Sequence, residues 1–467
     1  MKTILEKIFF CTGARNHDLL KIFDSHKIHF EFDERVASFK ALGLCKVSTN
    51  PVAVCTTSGT AVSECVSSML EAYYSELPLV LITGDRPKKL HGTGSPQTIH
   101  HEELTRTCRR SYVEITLSEL STLDLEHLAF PVHINVLVDD TTPHQEPTLF
   151  HRDVSSFEVF LKKYHRPLFL FSHENKSMRP IIEKFSEQGL PFYAETLSGG
   201  RDLSSIKTEK KLVELFQKDF FDSVVRIGHT PLSKVWRLLE RKNLPVFHLD
   251  SRNLPALSYG EVLPLGTSDL IDNDVFWKTL QNFPSFSVED ETHGVLNQLI
   301  EKYPGSEISL FKKLNDNISS HEHVYLGNSL VVRFFELTQT KNFKVFGNRG
   351  VNGIDGQLST AIGLSMGVSD PVYCILGDIT TFYDLSSLRE ITKNLFLIIV
   401  NNNGGRIFDM LNLDKRIILE HQEDFRKISE GLGLSYSNRI EDLGKVQVLE
   451  LFPEGEQTKK FLLEWAL

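Results

Sequence analysis

The chain has 467 residues, of which 41% are hydrophobic and 24% are charged, a composition typical of soluble globular proteins. Its net charge of −10 leaves no basic excess to neutralise phosphates, so nucleic acid is not expected as a partner. No apolar run reaches the ~18 residues of a membrane span, and Glu6 and Lys7 interrupt the only stretch that resembles a secretion signal. The six cysteines form no C-x-x-C pair, which indicates reduced, mostly buried thiols in a cytoplasmic protein.

Short apolar strands alternate with helix-like segments along the whole chain, and this alternation predicts parallel α/β architecture. In the first part of the chain, strands are predicted at 8–11, 28–32, 52–56, 79–83 and 132–138, with helices at 35–46 and 61–74. A second series is predicted at 168–171, 191–193, 223–227 and 245–249. A third is predicted at 324–326, 345–346, 372–376 and 396–400. We therefore predict three doubly wound parallel-sheet domains.

The domain boundaries are predicted where this alternation is lost. The chain turns polar and loses its pattern around 140–165, where D-D-T-T-P-H-Q-E-P stands, and the pattern weakens again over 283–293. We accordingly predict domains at 1–150, 151–290 and 291–467. Three successive α/β units suggest an old duplication, although no period is visible in the residues themselves.

Two predicted strand ends in the third domain carry polar residues that match each other. The strand at 372–376 runs into Gly377 and Asp378, and the strand at 396–400 runs into N-N-N-G-G, which includes Asn402 and Gly404. Since one helical crossover separates them, adjacent parallel strands would bring a carboxylate and an amide oxygen to one point. These oxygens suit Mg²⁺, with Mn²⁺ as an alternative, if phosphates of a ligand complete the coordination. The alternative interpretation is a pair of Asx turns that cap helices.

The pattern G-D followed by N-N-x-G resembles the signature of thiamine diphosphate-dependent enzymes. In that family the aspartate, the second asparagine and the glycine carbonyl hold Mg²⁺, which holds the diphosphate. Ile379 stands where the family usually has another glycine. The family also requires a glutamate against the cofactor's aminopyrimidine ring, and Glu34 follows a predicted strand and opens a helix. The alternative for Glu34 is a first-turn glutamate favoured by the helix dipole.

Eight motifs, two of which contain residues named above, fall in the order of one branch of this family, the 2-succinyl-5-enolpyruvyl-6-hydroxy-3-cyclohexene-1-carboxylate (SEPHCHC) synthases of menaquinone biosynthesis. They are F-D-E-R, T-S-G-T-A-V, T-G-D-R-P, P-Q-T-I, P-V-H-I-N, G-N-S-L-V-V-R, N-R-G-V-N-G-I-D-G and N-N-N-G-G-R-I-F. The resemblance spans nearly the whole chain. It implies the thiamine diphosphate-dependent enzyme architecture and a cytoplasmic transferase that decarboxylates 2-oxoglutarate and adds the succinyl unit to isochorismate.

The resemblance also implies roles for particular residues. Cofactor contacts are expected from Glu34, Ser58, Gly59, Ile354, Gly377, Asp378, Asn402, Gly404, Ile407 and Phe408, with Asp378, Asn402 and Gly404 on the metal. Contacts with the dicarboxylate substrates are expected from Arg15, Arg86, Gln97, Lys234, Ser329, Arg333 and Arg349. Arginine suits such ligands because its planar fork binds carboxylates bidentately. The resemblance further implies a homodimer, or a dimer of dimers, whose active sites are shared between subunits.

The sequence departs from the pattern of this branch at a few positions. Ala14 replaces a serine, His17 and Asp18 replace a mostly apolar pair, and Val235 stands where some members have a second cation. These departures leave open a related decarboxylase or carboligase with a different 2-oxoacid or acceptor. A second alternative is a non-catalytic homologue that binds the cofactor for assembly or regulation, but the presence of Glu34, Asp378 and Asn402 argues against it.

Overall fold

The computed structural model describes residues 5–23, 27–138, 148–174, 177–284, 286–411 and 414–466. Within them the strands form three six-stranded sheets, and every pairing between these strands is parallel. The predicted fold class is therefore confirmed. Among the described residues, the helices are all too short or too polar to cross a membrane.

The first sheet has the strand order β2-β1-β3-β4-β6-β5. Its strands are β1 (Ile8–Cys11), β2 (Ile28–Glu31), β3 (Val52–Thr56), β4 (Leu79–Asp85), β5 (Ser111–Thr116) and β6 (Val132–Leu137). The helices in this part of the chain are α1 (Glu34–Cys45), α2 (Thr60–Glu64), α3 (Val66–Tyr74), α4 (His101–Thr105) and α5 (Leu117–Leu120). Every residue of β3, β4 and β6 is buried, as expected for central strands covered on both faces.

The second sheet has the order β7-β12-β11-β10-β8-β9. Its strands are β7 (Thr148–His151), β8 (Pro167–Phe171), β9 (Phe192–Ala194), β10 (Ser223–Ile227), β11 (Val246–Leu249) and β12 (Tyr259–Leu263). The helices are α6 (Val154–Lys163), α7 (Arg179–Ser186), α8 (Glu209–Gln217), α9 (Lys234–Lys242), α10 (Thr267–Leu270) and α11 (Asp274–Gln281). A phenylalanine-rich core lies on one face of this sheet.

The third sheet has the order β14-β13-β15-β16-β18-β17. Its strands are β13 (His323–Leu326), β14 (Lys344–Phe346), β15 (Val372–Gly377), β16 (Leu395–Val400), β17 (Tyr436–Ser437) and β18 (Val448–Leu451). The helices are α12 (Thr292–Lys302), α13 (Glu307–Asn317), α14 (Leu330–Thr338), α15 (Gln357–Met366), α16 (Asp378–Tyr383), α17 (Arg426–Gly431) and α18 (Gly455–Ala466). Counted from its own first strand, this sheet repeats the order of the first sheet, as the suggested duplication would produce.

The structure adds elements that the sequence pattern did not predict. The five additional strands are β5, β7, β12, β17 and β18. Strand β5 is half-buried along its length and β17 has only two residues, so neither carries a continuous apolar run. The helix predicted at 61–74 is two helices, because the backbone N–H of Cys65 bonds to the carbonyl of Val62 and tightens the turn between them.

The described chain divides into two compact units. One comprises 1–147, 349–355 and 403–422, and the other comprises 148–348, 356–402 and 423–467. The first boundary is predicted around 140–165, and residues 139–147 lie outside the described part of the chain. The rest of that segment is more regular than expected, since it contains β7 and α6. The predicted domain limits at 150 and 290 stay predictions.

Candidate active site

The strand order of the first sheet reverses between β1 and β3, and this reversal marks where ligands bind in open parallel sheets. Arg15 follows the carboxyl end of β1, and Ser58 follows the carboxyl end of β3. The guanidinium of Arg15 donates from Nη1 to Oγ of Ser58 over 3.3 Å and to Oε1 of Gln97. The sheet therefore brings together three of the residues that the sequence predicts for cofactor and substrate.

Arg86 joins the same group from the end of β4. Its Nε donates to the carbonyl oxygen of Pro96 over 2.9 Å, and Nη2 of Arg15 donates to that oxygen over 3.2 Å. Gln97, the next residue, has a φ of +58°, so the backbone turns sharply where the two guanidinium groups meet. Two cations on one carbonyl oxygen make this part of the site suited to an anionic ligand.

Gly59 lies against a segment from much later in the chain. Its φ is +92°, and a Cβ there would lie 3.1 Å from Cβ of Gln97 and 3.2 Å from Cγ1 of Val351. Next to it, Thr60 donates to Asp355 over 2.6 Å. The segment 349–355, which carries the predicted residues Arg349 and Ile354, therefore packs on the start of α2.

Glu34 is held in a dry environment at the start of α1. Asp33 caps this helix by accepting from the backbone N–H of Val36, and only 8% of Glu34 is exposed. Thr56 Oγ1 approaches Oε1 of Glu34 at 3.4 Å. Burial, and then the charge of Glu34, raise the pKa of the thiols of Cys11 and Cys65 well above their ordinary value. A carboxyl group among neutral thiols suits proton sharing with a ring nitrogen.

The third sheet also has a reversal of strand order, with different polar residues at its strand ends. Its order reverses between β13 and β15, and Ser329, with a φ of +67°, follows β13. Strands β15 and β16 are paired neighbours in which Gly377 lies opposite Val400. Asp378, 2% exposed, begins α16 directly after β15, while Asn402 follows β16. The two strands are adjacent and parallel, so Asp378 and Asn402 both follow the same edge of the sheet.

The three consecutive asparagines after β16 differ in their contacts and exposure. Asn401 donates from Nδ2 to Oε1 of Glu450 over 2.7 Å and to the carbonyl of Glu423 over 2.9 Å. Asn402 donates from Nδ2 to Oε2 of Glu307 over 3.0 Å. Asn403 is exposed and has a φ of +63°, which asparagine tolerates better than most residues. The middle amide therefore contacts a buried carboxyl group, that of Glu307, which the charge of Asp378 also influences.

Glu307 is a residue that the sequence analysis missed. It begins α13, is 2% exposed, and its Oε1 has no hydrogen-bond partner among the described residues. Burial raises its pKa to about 7; the hydrogen bond from Asn402 opposes this shift, and the nearby charge of Asp378 adds to it. No motif marks this glutamate, since it lies in an ordinary helix start, P-G-S-E.

Asp378 and Asn402 could hold a divalent cation. They place a buried carboxyl group and an amide after the neighbouring strands β15 and β16, and oxygen ligands of this kind are those that Mg²⁺ and Mn²⁺ take. Gly404, the third predicted ligand, is described with the other compact unit, where its φ is +126° and a Cβ would lie 2.7 Å from the carbonyl of Ile418. Glycine is therefore required at this position by the backbone.

The remaining predicted residues are distributed over both units. Arg333, on α14, donates from Nη1 to the carbonyl of Leu232 over 3.4 Å. Leu232 lies two residues before Lys234 in the chain. Lys234 begins α9 and is exposed. Ile407 and Phe408 lie in the 3₁₀ segment Arg406–Leu411, and Phe408 packs against the core of the first sheet.

Comparison with known proteins identifies the family. Residues 2–104 match the family model described as thiamine pyrophosphate enzyme, N-terminal TPP binding domain. A SEPHCHC synthase from Bdellovibrio bacteriovorus is 32% identical over 100% of this chain and 96% of its own length. The chain belongs to the SEPHCHC synthase family. It is accordingly a thiamine diphosphate-dependent enzyme.

Other SEPHCHC synthases are more distant. Those from Leuconostoc citreum and Akkermansia muciniphila are 29% and 27% identical, covering 82% and 98% of this chain and 76% and 95% of their own lengths. A solved structure of a candidate thiamin diphosphate-dependent enzyme from Mycobacterium smegmatis matches 96% of both chains at 15% identity, with a TM-score of 0.48. A likeness of that strength supports no functional conclusion.

Two departures from the pattern of SEPHCHC synthases have structural explanations. His17 accepts through Nε2 from the backbone N–H of Asp414 over 2.9 Å, so it anchors the segment that follows the N-N-N-G-G motif. Val235 is fully buried in a core of the second sheet, where a cation would be costly. Ala14 is exposed, and nothing in the structure explains it.

Proposed function

We propose that this enzyme decarboxylates 2-oxoglutarate and adds the succinyl unit to isochorismate, as a step of menaquinone biosynthesis. The observation that carries the proposal is the convergence of Arg15 and Arg86 on the carbonyl oxygen of Pro96 at the end of the first sheet. Dicarboxylate substrates need fixed cations, and two guanidinium groups already held in place lose little freedom on binding them. Membership of the SEPHCHC synthase family supports the choice of these substrates.

Thiamine diphosphate and Mg²⁺, or Mn²⁺ in its place, are part of the proposal. Asp378, Asn402 and the carbonyl of Gly404 would hold the metal, with Gly377 beside them. Glu34, Ser58, Gly59, Ile354, Ile407 and Phe408 would contact the organic part of the cofactor. When bound, the cofactor supplies the electron sink that a 2-oxoacid needs in order to lose CO₂.

The protein's own contribution in this proposal is a proton site and a set of positioned charges. Glu34 is buried, and the hydroxyl of Thr56 donates to it, so its carboxyl group can share a proton with a ring nitrogen better than it could in water. Arg333, Arg349, Lys234, Ser329 and Gln97 would orient the two substrates. Excluding water from such a site strengthens each of these electrostatic contacts.

A homodimer with shared active sites is the assembly we propose, with a dimer of dimers as its higher form. In it, each site takes Glu34 from one subunit and the partner subunit's Asp378. Exposed apolar side chains on α1 and α3 support a partner surface in the first unit: Val36, Phe39, Leu70 and Tyr74. A cytoplasmic location also belongs to the proposal, because the six cysteines are free and buried.

Product analysis tests the proposed function. The purified enzyme with thiamine diphosphate and Mg²⁺ is incubated with 2-oxoglutarate, with and without isochorismate, and the products are identified by mass spectrometry. We expect CO₂ release from 2-oxoglutarate and an adduct of the succinyl unit with isochorismate. If an adduct forms only with another 2-oxoacid or acceptor from a panel, the enzyme is the related carboligase instead. If no CO₂ is released in a cofactor-dependent manner, the chain is not an active enzyme.

A further inference from the structure

We propose that Glu307 is a positioning residue for the metal: it holds the amide of Asn402 so that the amide oxygen, Oδ1, is directed away from α13 toward the cation. The inference rests on the proposed metal site at Asp378 and Asn402. It extends that site to a residue on a separate helix, more than ninety positions earlier in the chain.

The geometry of the contact carries the argument. Oε2 of Glu307 accepts from Nδ2 of Asn402 over 3.0 Å. A carboxylate accepts hydrogen bonds and does not donate them, so an amide beside it turns its NH₂ group inward and its oxygen outward. Residues that fix the orientation of metal ligands in this way contribute strongly to metal affinity.

The position of Glu307 itself is costly unless it serves such a purpose. Its side chain is buried, its Oε1 has no hydrogen-bond partner among the described residues, and it lies close enough to Asp378 for the two charges to repel. Burying a carboxyl group with an unsatisfied oxygen beside a second carboxylate destabilises a fold. A divalent cation at Asp378 would compensate both charges.

Glu450 provides a matched control within the same motif. It is also fully buried, and its Oε1 accepts from Nδ2 of the neighbouring amide, Asn401, over 2.7 Å. Its other oxygen accepts from the backbone N–H of Phe425 and the hydroxyl of Tyr436, so it ties chain segments together. Replacing either glutamate by glutamine changes one buried Glu–Asn contact, but only Glu307 backs a proposed metal ligand.

The experiment compares Glu307→Gln with Glu450→Gln in the full-length chain. Glutamine keeps the shape but can donate or accept, so the preference for one orientation of the Asn402 amide is lost. With thiamine diphosphate present, Mg²⁺ is titrated by calorimetry, and Mn²⁺ binding is followed by electron paramagnetic resonance. We expect the Kd for the metal to rise about 10- to 100-fold in Glu307→Gln and to stay unchanged in Glu450→Gln. Excess Mg²⁺ should restore turnover to Glu307→Gln.

Asp378→Ala separates failure of this inference from failure of the proposed metal site. If the wild type binds Mg²⁺, Asp378→Ala does not, and Glu307→Gln binds it with wild-type affinity, the positioning role is wrong. If Asp378→Ala binds Mg²⁺ like the wild type, the proposed metal site is wrong, and the inference falls with it. Should Glu307→Gln not fold, Glu307→Asp keeps the charge but shortens the side chain, which withdraws the carboxylate from Nδ2 of Asn402, and the same rise in Kd is expected.

Discussion

Arg15 and Arg86 donate to the same carbonyl oxygen, that of Pro96, although they follow different strands of the first sheet. Two guanidinium groups that converge on one oxygen repel each other, and an anion between them would relieve that repulsion. The loop that carries Pro96 therefore holds both guanidinium groups in place.

Replacement of Arg86 should weaken substrate use without affecting the cofactor. Arg86→Ala removes a charged hydrogen-bond donor, and we expect kcat/KM for 2-oxoglutarate or isochorismate to fall by the equivalent of ~1.5–3 kcal/mol. Arg86→Lys should recover only part of this, because an ammonium lacks the bidentate fork. Steady-state kinetics and cofactor calorimetry measure both effects. Arg389→Ala, at an exposed arginine, is the control, and a loss confined to cofactor affinity would contradict the assignment.

Replacement of Asp378 should remove the principal carboxylate of the proposed metal site. We expect Asp378→Ala to weaken Mg²⁺-dependent binding of thiamine diphosphate severely, as measured by calorimetry, because the diphosphate is held through the metal. Asp384→Ala is a matched control: Asp384 is buried at the other end of α16, where it accepts from the backbone N–H of Ser359 over 2.7 Å. Equal cofactor affinity in Asp378→Ala and the wild type would refute the metal assignment.

Glu34→Gln should separate cofactor binding from activation. Glutamine keeps the shape and a hydrogen bond but cannot share a proton with a ring nitrogen. We expect near-normal affinity for thiamine diphosphate and a loss of turnover of about 10²–10⁴-fold, which is typical of acid–base groups. Glu31→Gln, at the end of β2 and paired with Lys40 at the surface, should retain turnover. Full activity of Glu34→Gln would reduce Glu34 to a helix-start residue.

Mixed dimers test the shared active site. If each site combines Glu34 of one subunit with the partner subunit's Asp378, a dimer of Glu34→Gln with Asp378→Ala has one site with both changes and one with neither. Random mixing makes about half of the dimers mixed, and half of the sites in each mixed dimer are intact. The unfractionated mixture should therefore return to roughly a quarter of wild-type activity, and the purified mixed dimer to roughly half. The subunits are co-expressed with two different tags, and the mixed species is purified. No activity in the confirmed mixed dimer would show that each site lies within one chain.

Acid should destabilise the first sheet through a buried histidine. His133 contacts Thr83 at 2.9 Å and Thr105 at 2.8 Å, and burial, then the charges of His101 and Arg109, hold its pKa well below the ordinary value; only Asp85 opposes the shift. The folded state therefore keeps His133 neutral while the unfolded state binds a proton below pH ~6.5, so its contribution is present above pH ~6.5 and is lost as the pH falls.

The size of this effect can be measured by urea unfolding between pH 7.5 and 5.5. Below pH ~6.5, His133 should contribute a slope of about 1.4 kcal/mol per pH unit to the free energy of unfolding. His91 contributes to the pH dependence with the opposite sign. Burial lowers its pKa, but the hydrogen bond with Asp85 and the charge of that residue outweigh burial and raise the pKa. His133→Gln should therefore unfold with a shallower pH dependence than the wild type. His127→Gln, at an exposed position, is the control and should keep the wild-type slope. An equal slope in His133→Gln and His127→Gln would exclude His133 as a source of the pH dependence.

The sequence was sufficient for the sheets' central strands and for the polar residues at their ends. Strands such as β3 and β10 are short runs of buried residues, and their limits were predicted to the residue. The pairs Gly377-Asp378 and Asn401-Asn402 could be found because each directly follows such a run. Strands β17 and β18 were missed, since a two-residue edge strand and a run with a buried glutamate, Glu450, carry no clear apolar signal.

The sequence by itself therefore determined the fold class, the family and the residues at the strand ends, because these depend on local patterns that survive in the order of the chain. Only the tertiary structure decided which of them meet. Arg15, Arg86 and Gln97 come together through the parallel order of β1 and β4 with the loop after β4, and Glu307 reaches Asn402 from a helix far earlier in the chain. Such contacts depend on strand order and helix packing, which bring distant residues together without any mark in the local sequence.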